Sequence, residues 1–442
     1  MRKNIIQQFN TKDSLLVISA YPKRNEIYSK GVCAVSSFAK NTILKLKNEN
    51  PGRKIVILTI EVGKKKEYVE DGILIIRCFK RNSPLSFIAL TKEILRFNKI
   101  KDVMIEFEFA SFGDTLTTSL VAPFSILLFL LRRNLLIVIH QVLFNIKDLS
   151  GHIGIKSNNL KLKVLNFGLK WFYFILGQSA KKIIVLEEEF KTRLSKVTDS
   201  GKIHVVSHGV DTNIETSNAK NIRKHFGIKS DEFVILYFGY LTWYKGVDFL
   251  IESLRNQKSI NGKKIKLIIA GGPSFTQEQK THYQGFITRI NNLIKDSINI
   301  VTTGFVKEED ISPIFKASDL VVLPYRTFMS SSGPLSLAIS HQKPFIISQK
   351  LQGLTKSKDF KEALEEANLR KSNIVFDLNK KSLIHTIAFS MEPKTSKKMH
   401  VFSKLLKEKR AFENIAKYYE FILYSMKERV VSSYKLVSSK ES

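Results

Sequence analysis

Two loops in this sequence combine residue types suited to an anionic ligand. The first, Gly239-Tyr-Leu-Thr-Trp-Tyr-Lys-Gly246, stands between an apolar run and a helical pattern. Gly239 lets the backbone turn at a strand end. Lys245 falls near the start of the next helix, where backbone N–H groups already favour anions. A lysine there can hold a diphosphate; the alternative is a tight turn with Lys245 solvated. The second loop, Tyr325-Arg-Thr-Phe-Met-Ser-Ser-Ser-Gly-Pro-Leu335, also follows a strand pattern and precedes a helix. Ser330, Ser331, Ser332 and Gly333 offer hydroxyl and N–H donors suited to a pyrophosphate, and Pro334 fits the first helical turn. The alternative is a serine N-cap and nothing more.

Three further places bear chemistry. His140 ends the apolar strand NLLIVIH, and His208 ends the run before Gly209; of nine histidines only these two stand at strand ends. Gly209 permits a hinge at Ser207-His-Gly-Val-Asp211, where His208 either lines a cleft or is structural. Glu106 and Glu108 in IEFEF share one strand face at positions i and i+2. They can bind hydroxyls of a sugar-like ligand, or they are solvated edge carboxylates.

The elements that must position these residues are strands alternating with helices. SLLVISA (14–20), KIVILTI (54–60), ILIIRCF (73–79), DVMIEFEF (102–109), NLLIVIH (134–140) and KIIVL (182–186) are continuous apolar runs. Such runs imply a parallel sheet covered on both faces, that is, a doubly wound α/β domain. Polar, aperiodic residues 211–222 read as a linker. The pattern then restarts with FVILYFG (233–239), IKLIIAGG (265–272), INIVTTG (298–304), SDLVVLPY (318–325), PFIIS (344–348) and SNIVF (372–376). We therefore expect a Rossmann-like domain over 1–210, a linker over 211–222 and a second Rossmann-like domain over 223–395. A long helix from Ser396 to Lys427 should follow, within a C-terminal segment 396–442 that packs back towards the N-terminal domain. Two such domains face each other across a cleft at the carboxyl ends of their strands.

The chain has 442 residues, 43% hydrophobic and 25% charged, which excludes a disordered or fibrous protein. Its 71 Lys and Arg against 40 Asp and Glu give a net charge of +31, spread over both halves, and point to anionic partners. Cys33 and Cys78 are too few for a disulfide scaffold and read as reduced and buried. The longest apolar run, SLVAPFSILLFLL, stops at Arg132-Arg133, short of the about 20 residues that span a bilayer. The expectation is a cytoplasmic chain without a transmembrane helix. There is no Asp-x-Asp, no P-loop, no GxGxxG after the first strand and no zinc spacing. No nucleic-acid motif is present, so nucleic acid is not an expected partner.

Together these segments resemble the retaining GT-B glycosyltransferases of the GT4 type. KIHVVSHGVD, ILYFGYLTWYKGVDFLIESL, KLIIAGGP, INIVTTGFV, ASDLVVLPY and SSGPLSLAISHQKPFIIS follow that family's order, and ISAYPK…KGVCAVSSFAKNTI and VIHQV its N-terminal half. The resemblance implies a GT-B fold: two Rossmann-like domains, an acceptor on the first and a nucleotide-sugar donor on the second. It implies transfer with retained configuration, with no metal and no cofactor. Lys245 then holds the diphosphate together with Ser331, Ser332, Gly333 and Leu335. Gly239 and Tyr240 begin the donor loop, Gly304 and Phe305 stand where the base packs, His140 lies near the transferred sugar, and Gly31 belongs to the acceptor loop.

The sequence departs from the family at Tyr240, where an arginine is usual, and in the donor loop, where neither alignment of the usual Glu-x7-Glu gives a carboxylate. Arg326 is the expected replacement for the missing second cation. A catalytically degenerate scaffold of the same fold is the alternative function. Leu162, Leu165, Leu169, Phe172 and Leu176 form a helical stripe flanked by Lys161, Lys163 and Lys170, with Trp171 beside it. This is either an interfacial helix for an anionic membrane that presents a lipid-linked acceptor, or a core-facing helix.

Overall fold

The computed structural model describes residues 2–27, 35–63, 65–149, 160–214, 219–295 and 297–438. Gly31 and Cys33 lie outside the described residues. The chain divides into two compact units: Met1–Phe144, Asn166–Ser207 and Phe412–Ser442 form the first, Asn145–Leu165 and His208–Ala411 the second.

The first unit holds β1 (Leu15–Ile18), β2 (Ile55–Ile60), β3 (Lys66–Glu70), β4 (Ile73–Phe79), β5 (Asp102–Phe107), β6 (Asn134–Ile139), β7 (Lys182–Val185) and β8 (Ile203–Val205). They form one sheet in the order β3-β4-β2-β1-β5-β6-β7-β8. Only β3 runs antiparallel to its neighbour. β1, β4 and β5 are buried at every residue, which is why they are written as unbroken apolar runs. β3 is polar and carries no such run; its signal is the Asp71-Gly72 turn, both residues at positive φ, a two-residue hairpin. Helices Val35–Glu49 and Phe412–Ser438 cover one sheet face: Phe38, Ile43 and Leu46 meet Ile415, Tyr419 and Leu423 over Val17, Ile57, Leu136 and Ile184. Elsewhere in the unit a chain of rings runs from Phe124 to Phe87 (5.2 Å), Phe112, Phe107 and Phe172 (5.2 Å), tying helices Ser86–Arg96, Val121–Leu130 and Leu160–Ser179 to β5.

The second unit holds β9 (Phe233–Phe238), β10 (Ser259–Ile260), β11 (Lys263–Ala270), β12 (Ile300–Gly304), β13 (Leu320–Leu323), β14 (Phe345–Ser348) and β15 (Val375–Phe376). The order is β10-β11-β9-β13-β14-β15, with β12 paired to β11. β10 and β11 form a hairpin on Asn261-Gly262, again a turn signal without an apolar run.

Several expectations change. The polar segment 211–222 is not all linker, since a helix begins at Ala219. The C-terminal pattern is two helices, Pro393–Lys409 and Phe412–Ser438, and not one. The break is fixed within the second unit. Arg410 is buried and paired with Asp359 at 2.6 Å, its carbonyl accepts from Val210 N at 2.9 Å, and Ala411 bridges Val210. In helix Leu160–Ser179, Leu162, Phe172 and Leu176 are buried, so most of the stripe offered for lipid faces protein. Cys78 is a free, buried thiol, and burial pushes it up to about 12.

Helix Gly333–Ser340 ends on His341, whose ring stacks on Phe315 at 4.8 Å. Nδ1 stands 2.8 Å from the Leu337 carbonyl, while buried Nε2 has no hydrogen-bond partner among the described residues. Burial first, and then Lys343, Lys407 and Lys316, push its pKa down to about 4. The unfolded chain takes up this proton near the ordinary histidine value and the folded chain only near 4. Stability is therefore full above that ordinary value and falls, by about 2 to 3 kcal/mol, as the pH drops through this window. Urea midpoints at pH 7 and about pH 4.5 should separate more for the wild type than for His341→Phe; equal separations refute the assignment.

Candidate functional site

The second unit assembles one group of candidate residues at the carboxyl ends of β9, β11, β12 and β13. Beyond β9 the backbone turns at Gly239, whose φ of +125° only glycine adopts with ease. A side chain there would stand 2.7 Å from Lys245 Nζ and 3.2 Å from Pro334 Cγ. The ammonium therefore lies over the bare Gly239 backbone, beside the N-terminus of helix Gly333–Ser340. Lys245 is buried, 8% exposed, and its Nζ is 6.0 Å from the Tyr325 ring centroid, so the solvated reading is wrong. It reaches this place because Trp243–Lys245 forms a short 3-10 turn closed by Gly246 at φ +71°. A Cβ on Gly246 would run into the Pro324 carbonyl.

Two Tyr side chains brace the loops. Tyr283 Oη donates to the Leu241 carbonyl at 2.7 Å and accepts from Ser274 N at 2.6 Å. Tyr325 Oη lies 2.8 Å from Ser332 Oγ. Burial raises the pKa of both, Tyr283 to about 12, so they stay neutral donors.

The Ser331–Leu335 segment divides its tasks. Ser332 Oγ accepts from Leu335 N at 3.2 Å and is buried, so this hydroxyl is a helix cap, as the second reading had it. The Leu335 side chain is buried and its N–H is taken, which removes it from the ligand contacts. Ser331 is half-buried, and the space beside the Gly333 α-carbon is open to beyond 4 Å. What an anion meets here is the 331–333 backbone, the positive end of the helix and Lys245.

Arg326 does not serve as a free second cation. It grips Asp248 with both nitrogens, at 2.7 and 2.9 Å, donates to the Trp243 carbonyl at 2.7 Å and lies 5.2 Å over the Trp243 ring. Its charge is balanced by the carboxylate, and its work is to bind one loop to the other. Tyr240 stands half-buried against Phe275, with ring centroids 6.1 Å apart. Phe305, just after Gly304 at the end of β12, is 39% exposed. His208 Nδ1 is 2.8 Å from both Ser336 Oγ and the Gly209 carbonyl. It is thereby fastened to helix Gly333–Ser340, which follows the second loop.

The first unit gathers the other candidates at the ends of β5 and β6. These strands pair with Glu106 opposite Val138, so His140, two residues on, points to the same side. His140 Nε2 is 2.6 Å from Glu106 Oε2, and the ring stands edge-on to Phe38 at 4.9 Å. Glu106 is fully buried, which corrects both the solvated and the hydroxyl-binding readings. Its Oε1 has no hydrogen-bond partner among the described residues. Burial, with the Glu106 charge adding to it, holds the Tyr419 hydroxyl well above its usual range. β5 ends at Phe107, so Glu108 stands at the residue before the short helix Phe109–Phe112 and does not continue the strand face; Gln141 Nε2 donates to it at 3.3 Å. The turn after β6 is held by Tyr173, which donates to the Gln141 carbonyl at 2.8 Å, and by Arg193 on the Val142 carbonyl at 3.0 Å. Among the residues that escaped the sequence reading, Asp248 and Tyr325 carry a findable signal, since both lie in or beside the two loops. Tyr173 and Gln141 carry none.

These features define a class: two mostly parallel α/β sheets with the GT-B fold, and in the second a pair of strand-end loops whose chemistry suits an anion. Residues 218–356 match the family described as Glycosyl transferases group 1. The chain is 25% identical over 150 residues to an uncharacterized glycosyltransferase of Methanocaldococcus jannaschii, covering 32% of this chain and 36% of that one. It is 30% identical over 112 residues to a GDP-mannose:glycolipid 4-beta-D-mannosyltransferase of Xanthomonas campestris, covering 25% and 29%. The matched segment thus spans about a third of these relatives. A sucrose-phosphate synthase from Thermosynechococcus elongatus superposes with a TM-score of 0.70 at 13% identity, over 94% of this chain and 99% of that one.

Proposed function

We propose that the chain is a glycosyltransferase that moves a sugar from a nucleotide-sugar donor, bound by the second unit, to a glycan or lipid-linked acceptor, bound by the first. The observation that carries this reading is the Lys245 ammonium seated on Gly239 and Pro334 at the N-terminus of helix Gly333–Ser340. In the reaction the bond between the anomeric carbon and the diphosphate breaks, and its electron pair goes to the diphosphate. A bond to the acceptor oxygen forms and the acceptor proton is released. Lys245, the 331–333 backbone and the helix end meet the charge that develops on the leaving group. A fixed cation in that place supports a reaction without metal or cofactor, and the GT4-type resemblance supports retention of configuration. Phe305 offers a half-exposed ring for the base. His140, held by Glu106, is the group of the first unit that meets substrate. The Xanthomonas relative, named for transfer to a glycolipid, supports a role in cell-surface polysaccharide or glycolipid synthesis at the inner face of the membrane.

The test is a thermal-shift screen with UDP-, GDP-, ADP- and CMP-sugars. At about 100 times Kd a bound donor stabilises by about 2.7 kcal/mol, which raises the Tm visibly. One nucleotide should give the shift and so name the base. No shift with any of them overturns the reading in favour of an inactive scaffold of the same fold.

A further inference from the structure

Helix Leu160–Ser179 is apolar on two sides. Phe172, Tyr173 and Leu176 are buried, Phe172 against Phe107 and Phe109. On the opposite side Val164, Phe167, Trp171 and Phe174 recur at intervals of three and four, the spacing of one helix face, and all are exposed: Phe167 by 64% and Trp171 by 50%. Lys163 and Lys170 stand exposed beside this stripe, and the helix contains no acidic residue. Helix Val121–Leu130 repeats the arrangement. Phe124 and Leu128 face inward, Phe129 and Leu130 outward at 58% and 68%, and exposed Arg132 follows, with no Asp or Glu from Thr115 to Arg133. The ring chain from Phe124 to Phe172 joins the inner sides of the two helices.

A helix that lies on a protein and faces water is ordinarily polar outside. Here the outer faces are aromatic, basic and free of acid, in a chain of net charge +31. We propose that these two outer faces dock the chain on an anionic lipid surface. The aromatic side chains enter the boundary between headgroups and acyl chains, while Lys163, Lys170 and Arg132 meet lipid phosphates. No helix among the described residues is long and apolar enough to cross a membrane, so the contact lies on the surface. The proposal deepens the reading of a lipid-linked acceptor, yet docking requires neither donor nor transfer.

Sedimentation of the full chain with vesicles tests it. Vesicles of phosphatidylcholine with about 30 mol % phosphatidylglycerol should carry the protein down, phosphatidylcholine alone should not, and added salt should release it. Phe129→Glu and Trp171→Glu should each weaken binding by about tenfold or more at unchanged Tm, since both side chains are exposed. Lys163→Gln with Lys170→Gln should weaken it about thirty-fold, two losses of about fivefold each. Equal binding to both vesicle types, no binding to either, or full binding by the glutamate variants overturns the proposal. So does a dimer in light scattering that the same variants dissolve, because a second copy then covers the face. A chain that sediments but binds no nucleotide sugar sinks the transferase reading and leaves this one standing.

Discussion

Lys245→Ala is expected to lower kcat/KM for the sugar donor by about 100- to 1000-fold, the usual effect of removing one donor aimed at developing charge. Lys245 is buried at the turn of its loop, and its Nζ sits where a side chain of residue 239 would be, beside Pro334 at the head of helix Gly333–Ser340. The other cation on the two loops cannot take its place, since Arg326 is committed to Asp248. Lys245→Arg should not rescue. The ammonium fits against bare backbone, and a planar guanidinium there needs room that Gly239 and Pro334 deny. Affinity for the free nucleoside diphosphate should fall along with the rate, and the Tm of the unliganded variant should stay near that of the wild type. Unchanged donor kinetics would remove Lys245 from the diphosphate and with it the main support for the proposed activity.

The placement of Lys245 also marks how far the residues speak for themselves. The Gly239–Gly246 spacing names the loop and the lysine, because a strand end, a glycine and a helix start are local signals. That the ammonium rests on Gly239 depends on Gly246 closing a 3-10 turn against Pro324, which is a meeting of two segments far apart in sequence. Arg326 shows the reverse failure. As a residue type it suits a diphosphate, and nothing local reveals that Asp248, in the first turn of the helix after the lysine loop, holds it. The sheets were legible where strands are buried on both faces. β3 was missed because it is a polar edge and β10 because it is an edge of two residues, though Asp71-Gly72 and Asn261-Gly262 announce their turns. The helix Leu160–Ser179 left two readings open for a physical reason as well. An apolar stripe states that one face leaves water; it does not state whether protein or lipid receives it. With two stripes on one helix, only burial assigns the first to the core.

Glu106→Gln is expected to lower kcat by about 100- to 1000-fold, in the range of lost proton-transfer or positioning groups, while donor affinity stays as it was. Glu106 and His140 lie in the first unit and Lys245 in the second, so a loss confined to kcat separates their roles. The pair is not explained as a device for stability. Glu106 is fully buried, one oxygen meets His140 Nε2 at 2.6 Å, and the other has no hydrogen-bond partner among the described residues. A buried charge satisfied on one side only costs free energy that a neutral amide of the same shape does not. The Gln variant should therefore be as stable as the wild type or more so, and less active. That combination is the mark of a group retained for what it does to its neighbour. Glu106→Asp keeps the charge but withdraws it by one methylene, and should recover part of the rate. A purely structural pair would behave the other way, with a lower Tm and kcat preserved, and that outcome would return His140 to the core.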